Sequence, residues 1–176
     1  MKSIRHIVLT AISAAVCYSS FAQITFTNAN SKLVTSGFHS GCTVTVADMD
    51  GDGLDDICRL SQGHDLFIEY QQVNGQFVKV HIGDFVTNNP SSWAWGMCVA
   101  DVDHNGHKDV LAGGNSTGVK IIKIAPDRTF MNMTTLPTST FFLQNANFMD
   151  VNNDGWEDIF ACDDNAASHI WINNGS

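Results

Sequence analysis

Three acidic loops contain the residues of this chain that are best suited to chemistry. Each loop is nine residues long, has an oxygen-bearing side chain at positions 1, 3, 5 and 9, and has Gly at position 6. These side chains are Asp48, Asp50, Asp52 and Asp56 in the first loop, Asp101, Asp103, Asn105 and Asp109 in the second, and Asp150, Asn152, Asp154 and Asp158 in the third. Oxygen ligands that converge around a sharp turn at Gly are typical of a hard-cation site. The loops therefore predict up to three Ca2+ sites.

The spacing of the loops indicates the elements that hold them. Their first residues lie 53 and 49 residues apart, which indicates a structural repeat of about 50 residues. Apolar runs predict strands at 43–47, 57–60, 66–70, 77–82, 96–100, 110–112, 119–124, 130–133, 146–149, 159–162 and 169–172. Four short strands joined by tight turns are typical of a β-propeller blade. We therefore predict an all-β fold of about three four-stranded blades, the third incomplete, and interpret the chain as a partial or truncated propeller.

An EF-hand is the first alternative for the loops, because it also begins with D-x-D-x-D-G. It requires a bidentate Glu at position 12 and flanking helices, whereas position 12 is Arg59, Ala112 or Ala161 in this chain. Position 9 is instead Asp in every copy, and an apolar residue follows it directly. Both the ligand pattern and the flanking strands therefore argue against the EF-hand.

The loop D-x-D-x-D-G-x-x-D between two strands resembles the FG-GAP or VCBS repeat of integrin-like β-propellers, over residues 41 to 176. The resemblance implies that each loop joins the first two strands of a blade and holds one structural Ca2+. It also implies a backbone carbonyl ligand at position 7, which is Leu54, His107 or Trp156. Because the first loop alone has four carboxylates, we expect it to bind Ca2+ most tightly.

The start of the chain predicts export. Residues 1–22 combine a basic beginning, an apolar stretch too short to span a membrane and a final Ala22, which is typical of a cleaved signal peptide. Cys17 leaves a lipoprotein as an alternative. We expect a secreted or cell-surface protein with an N-terminal strand segment at 23–40, repeat 1 at 41–90, repeat 2 at 91–140 and an incomplete repeat 3 at 141–176.

Charge and cysteine content narrow the possible partners. The net charge is −9, and ten of the 18 acidic residues lie at the ligand positions of the loops, so much of the acidity is explained by metal binding. The scarcity of Lys and Arg argues against a nucleic-acid partner. Outside the signal peptide the cysteines are Cys42, Cys58, Cys98 and Cys162, which lack zinc-site spacing and are expected to be buried small residues or to form one or two disulfides.

The remaining residues suggest binding and not catalysis. Trp93 and Trp95 lie at i and i+2, so they are candidates for stacking on a sugar ring or for the core between blades. No catalytic motif or unassigned carboxylate pair is present. We predict a binding or adhesion module for a glycan or an extracellular protein. The alternatives are a fragment of, or accessory to, a secreted polysaccharide-active enzyme, and a structural spacer. Because propellers close with roughly 4 to 8 blades, self-association through unpaired blades is also expected.

Overall fold

The computed structural model describes residues 25–34, 37, 39, 43–85, 94–115, 118–137 and 141–175. These residues form eleven strands and one 3-10 turn at Asn30–Lys32. The strands are β1 Val44–Ala47, β2 Asp56–Ser61, β3 Asp65–Gln71, β4 Phe77–Asp84, β5 Ala94–Ala100, β6 Asp109–Gly114, β7 Val119–Ile124, β8 Phe130–Thr135, β9 Leu143–Met149, β10 Asp158–Asp163 and β11 His169–Trp171.

The strands form three antiparallel sheets in which chain neighbours are also sheet neighbours. Sheet 1 contains β1–β4, sheet 2 contains β5–β8 and sheet 3 contains β9–β11. The first strands lie side by side, because β5 contacts both β1 and β9. This arrangement of up-and-down sheets around adjacent first strands is that of propeller blades. The prediction of an all-β fold built from blades is therefore confirmed.

Apolar cores fill both spaces between the sheets. Leu60, Ile68 and other residues of sheet 1 pack on Val110 and Ile122 of sheet 2. A second cluster joins sheets 2 and 3 and is centred on Leu143, which is fully buried. Sheets 2 and 3 approach closely there, since a Cβ on Gly96 would lie 2.8 Å from the Leu143 side chain. The two cores hold the three first strands, and hence the three acidic loops, in a fixed order.

Two features of the N-terminal region differ from expectation or lie outside the described residues. The described part of 23–40 contains the 3-10 turn and not the expected strand. It packs on sheet 1 through the backbone N–H of Val34, which donates to Glu69. The predicted signal peptide at 1–22 lies outside the described residues, and the repeat boundaries stay predictions. None of the described residues belongs to a helix with the length and apolar character that membrane crossing requires.

The cysteines in the described residues are free thiols. Cys58 is buried, whereas Cys98 and Cys162 are half-buried. Burial raises the pKa of the Cys58 thiol, and burial raises the pKa of Cys98 to about 12. No disulfide therefore joins these three residues, which act as small apolar side chains. Cys42 lies outside the described residues.

Candidate metal centre

Each acidic loop joins the first strand of a sheet to the second, so the three loops follow β1, β5 and β9. The Asp at position 1 organises the turn. In the first loop, Asp48 Oδ1 accepts hydrogen bonds from the backbone N–H of Gly51 at 2.8 Å and of Asp52 at 3.1 Å, and Oδ2 accepts one from Gly53 at 3.0 Å. The N–H groups at positions 5 and 6 make the same bonds to Asp101 and Asp150. A carboxylate at position 1 thus shapes the loop before any ion binds.

Two backbone positions in each loop have a left-handed conformation. Position 6 is Gly in every copy, with φ between 85° and 91°. Position 4 also has positive φ, at Gly51 (78°), His104 (57°) and Asn153 (60°). The sequence indicates the requirement at position 6 but not the one at position 4, because only the first copy has Gly at position 4. The residues with side chains at position 4 hold a conformation that L-residues rarely adopt.

The Asp at position 9 connects the loop to the end of the third strand of the same sheet. Asp109 Oδ2 accepts from Val102 N at 3.2 Å, and Oδ1 accepts from Ile124 N at 2.8 Å. Asp56 and Asp158 bind the corresponding amides. All three carboxylates are fully buried. Burial raises the pKa of Asp56, and burial raises the pKa of Asp109 to about 6, with the backbone N–H donors opposing the rise.

Positions 1, 3 and 9 converge in the first two loops. One oxygen from each of Asp48, Asp50 and Asp56 lies within 4.8 Å of the other two, and Asp101, Asp103 and Asp109 form a matching cluster. Both carboxylate oxygens of Asp50 and Oδ1 of Asp103 are buried and accept no hydrogen bond from the described residues. A buried carboxylate oxygen without a donor is unfavourable. Three converging carboxylates with unsatisfied oxygens therefore fit a hard divalent cation.

A basic side chain lies beside position 3 in both clusters. Arg128 Nη2, from the turn between β7 and β8, lies 2.6 Å from Asp50 Oδ2 without the alignment of a hydrogen bond. The same guanidinium lies 4.4 Å from the centre of the Tyr70 ring. Lys123 Nζ lies 3.2 Å from Asp103 Oδ2. These two side chains partly neutralise the negative charge of the clusters. Because they lie far along the chain from the loop residues that they contact, the sequence did not indicate these contacts.

The predicted side-chain ligands at position 5 make hydrogen bonds within their own loops. Asp52, Asn105 and Asp154 each accept a hydrogen bond from the backbone N–H at position 7 of the same loop. In the third loop, Asn152 Nδ2 donates to Asp154 Oδ2 at 2.8 Å. Because Asn152 occupies position 3, the third loop lacks the three-carboxylate cluster that positions 1, 3 and 9 form in the other two. The carbonyl ligands of Leu54, His107 and Trp156 stay predictions.

Neighbouring loops contact each other across the sheets. Lys108 N of the second loop donates to the Met49 carbonyl of the first at 2.7 Å. Asn173 Nδ2, just after β11, donates to the Val102 carbonyl of the second loop at 3.0 Å. The rings of His104 and Trp156 stack at 4.1 Å, which joins the second and third loops. The order of one loop therefore supports the order of the next.

Only one of the two tryptophans that were candidates for ligand binding lies among the described residues. Trp93 lies outside the described residues. Trp95 is 45% exposed and meets the edge of Phe142, with 5.9 Å between ring centres. A cavity of about 400 Å³, which no sequence pattern indicated, lies between sheets 2 and 3 and is lined by Trp156, Trp171 and other residues. The Trp156 ring lies between His104 and Gly175 and so has little free face for stacking.

Comparisons with known proteins give one family match. Residues 48–112 match the FG-GAP-like repeat. No curated protein matches the chain. Among solved structures, one titled "Crystal structure of BBS1N in complex with ARL6DN, soaked with lead" aligns with 78% of this chain and 52% of its own length, at 12% identity and a TM-score of 0.41. The segment that runs from the first acidic loop through the second and into β6 is thus similar to the FG-GAP-like repeat.

Proposed function

We propose that this protein is an exported, calcium-stabilised β-propeller module that binds a glycan or an extracellular protein. The observation that carries the calcium part is a pair of carboxylates, Asp50 and Asp103, whose side chains are 3% and 23% exposed. Each has at least one oxygen without a hydrogen-bond donor among the described residues, within a cluster of three converging carboxylates. The match of residues 48–112 to the FG-GAP-like repeat supports the propeller module.

The side chains at positions 1, 3 and 9 would hold the ion in the first two loops. Position 1 lies just after the first strand of the sheet and position 9 begins the second, so a bound ion joins the two strands. Two loops thus have a complete carboxylate set for an ion, and the third has a weaker one because Asn152 replaces a carboxylate at position 3. Arg128 lies closer to Asp50, at 2.6 Å, than Lys123 does to Asp103, at 3.2 Å. The affinity of the first loop for Ca2+ should therefore be lowered more than that of the second.

The ion has a structural role in this proposal. The ligands of each site belong to one tight loop, and the carboxylates at positions 1 and 9 already accept backbone hydrogen bonds. Such a loop leaves few open coordination positions for a substrate, whereas a catalytic metal needs an open position. We therefore propose a non-catalytic module. Hydrolysis of any polysaccharide in a turnover screen would contradict this part of the proposal.

The calcium sites are tested by thermal unfolding and by isothermal titration calorimetry with Ca2+, Mg2+ or a chelator. We expect Ca2+ to raise Tm and Mg2+ to do so less, because the clusters offer several carboxylate oxygens and Mg2+ gives up its bound water reluctantly. Asp50→Asn and Asp103→Asn are expected to reduce the response. Asp55→Asn is the matched control, because Asp55 is an exposed acid at position 8 of the first loop. An equal loss in the Asp55 variant would show that general charge, and not the cluster, attracts the ion.

The binding and export parts need separate experiments. A glycan array and a pull-down with extracellular proteins, both in Ca2+, test the module against the alternative of a structural spacer. Absence of any ligand in both screens would favour the spacer. Mass spectrometry of the exported protein tests the signal peptide, and we expect the mature chain to begin at Gln23.

A further inference from the structure

Equivalent rows of residues can be compared between the three sheets, and they show which sheet faces pack against a neighbouring sheet. Residues paired across adjacent strands lie on one face of a sheet. In sheet 1 the row Thr45, Cys58 and Ile68 faces sheet 2, where Cys58 and Ile68 are fully buried. The equivalent row in sheet 2 is Cys98, Leu111 and Ile121, which belongs to the core shared with sheet 3.

In sheet 3 the same row has no covering sheet among the described residues. It consists of Asn147, Phe160 and Ile170. Ile170 is 56% exposed and Phe160 is half-buried, whereas Leu111, at the position of sheet 2 that corresponds to Phe160, is fully buried. This row of sheet 3 is called the trailing face below. It combines the exposed Asn147 with two large apolar side chains, and it corresponds to the rows that neighbouring sheets cover in sheets 1 and 2.

The opposite faces show the complementary pattern. Val99, Val110 and Ile122 of sheet 2 pack on sheet 1, and Phe148, Ile159 and Trp171 of sheet 3 pack on sheet 2. The equivalent row in sheet 1 is Val46, Ile57 and Glu69, called the leading face below. Val46 is 60% exposed, and no sheet among the described residues packs against it.

The leading face is only partly covered. Glu69 is fully buried, forms an ion pair with Arg59 and accepts the N–H of Val34 at 3.3 Å. The covering contact therefore lies on β3, while Val44 and Val46 on the first strand are 50% and 60% exposed. First strands are also where sheets 2 and 3 meet, through β5 and β9. The open part of the leading face is therefore the part that a neighbouring blade would contact.

We infer that two copies of this chain associate head to tail, with the trailing face of each copy packed on the leading face of the other. Two copies of three sheets supply six blades, which lies in the range of roughly 4 to 8 at which propellers close. A two-fold axis makes the two contacts identical, so the assembly is closed and limits itself to a dimer. The inference rests on the sheets and not on the identity of the ion or ligand, so calcium binding and dimer formation can fail independently.

The test is sedimentation velocity of the full chain in Ca2+, with variants at the two faces. The wild-type protein is expected to sediment as a dimer. Val46→Lys and Ile170→Glu each damage both contacts of a homodimer and should give monomers. Both side chains are more than half exposed, so neither change buries a charge in the monomer, and far-UV circular dichroism checks the fold. Val73→Lys is the control, because Val73 is 98% exposed in the β3–β4 turn, and it should stay dimeric.

Mixing the two monomeric variants distinguishes head-to-tail packing from a symmetric contact. In a heterodimer of the two variants, one contact joins the unchanged trailing face of the first variant to the unchanged leading face of the second. The other contact places the introduced lysine opposite the introduced glutamate. A heterodimer should therefore form. A wild-type monomer at all accessible concentrations would overturn the inference. So would a Val46→Lys variant that stays dimeric while Ile170→Glu is monomeric, because that result means packing between two trailing faces.

Discussion

Replacing Arg128 gives a specific test of the first acidic loop, because its guanidinium neutralises the carboxylate of Asp50 that a bound cation would also neutralise. Its guanidinium lies 2.6 Å from Asp50 Oδ2 and over the Tyr70 ring. We consider Arg128→Met, which keeps much of the side-chain bulk but removes the charge. Asp50 is 3% exposed and Arg128 is 36% exposed, counted on their side chains. The variant should therefore behave differently in the absence and in the presence of Ca2+.

Without Ca2+ the variant should be less stable. Removing one partner of a buried ion pair costs about 3–5 kcal/mol, but the exposure of Arg128 lowers this. Loss of the contact with Tyr70 adds roughly 0.5–1 kcal/mol. We expect the free energy of unfolding to fall by about 1–3 kcal/mol in a chelator.

Ca2+ binding should change in the opposite direction and become tighter in the variant, because the competing cation is gone. A single charge about 5 Å from a divalent ion is repelled by roughly 7 kcal/mol at an effective dielectric constant of 20, as an upper limit. Arg128 is exposed enough to turn into solvent, so we expect only about 1–2 kcal/mol of this, or roughly tenfold tighter Ca2+ binding at the first loop.

Urea unfolding in chelator and calorimetric titration with Ca2+ measure the two effects. Lys123→Met is the matched control, because Lys123 pairs with Asp103 of the second loop. It should alter the second site and leave the first unchanged. If Arg128→Met weakens Ca2+ binding, the guanidinium does not compete for the site, and our account of the first loop is wrong.

Three further predictions concern the second loop. Gly106→Ala is expected to cost about 1–2 kcal/mol in urea unfolding, because φ is +88° and nothing lies within 4 Å of a new Cβ; an unchanged midpoint would refute the backbone argument. Burial raises the folded-state pKa of Asp109 from 3.8 to about 6, so metal-free stability should fall by at most about 3 kcal/mol as pH rises from about 4 to about 6. Asp109→Asn should remove that slope, and calcium affinity of the wild type should rise over the same pH window. Asn173→Ala should cost about 1–2 kcal/mol, because the Val102 carbonyl loses its donor, and a change below the error of the measurement would contradict this.

The sequence predicts the strands and the loops well because the signals are local. Apolar runs beside each loop correspond to observed strands, as Val44–Ala47 and Asp109–Gly114 show. The oxygen side chains at positions 1, 3 and 9 converge in two loops because the turn at position 6 forces the chain back on itself. The same pattern of strands and loops occurs three times in the sequence. The all-β architecture of blades can therefore be predicted from the sequence.

The features that the sequence did not predict depend on packing between distant residues. Arg128 reaches Asp50 from another sheet, and no pattern near the loop indicates it. Asp109 connects to Ile124 through a backbone amide, which carries no sequence signal. The described part of 23–40 forms a turn at Asn30–Lys32, which the apolar content of that stretch did not indicate.

Calcium titration of the chelator-treated wild-type protein tests the central claim most directly. Calorimetry, with Tm measured at each point, should show at least two bound Ca2+ per chain, from the clusters around Asp50 and Asp103. A site filled to 100 times its dissociation constant should add about 2.7 kcal/mol of stability, so Tm should rise by several degrees. No heat of binding and an unchanged Tm at millimolar Ca2+ would contradict the claim that these loops are calcium sites.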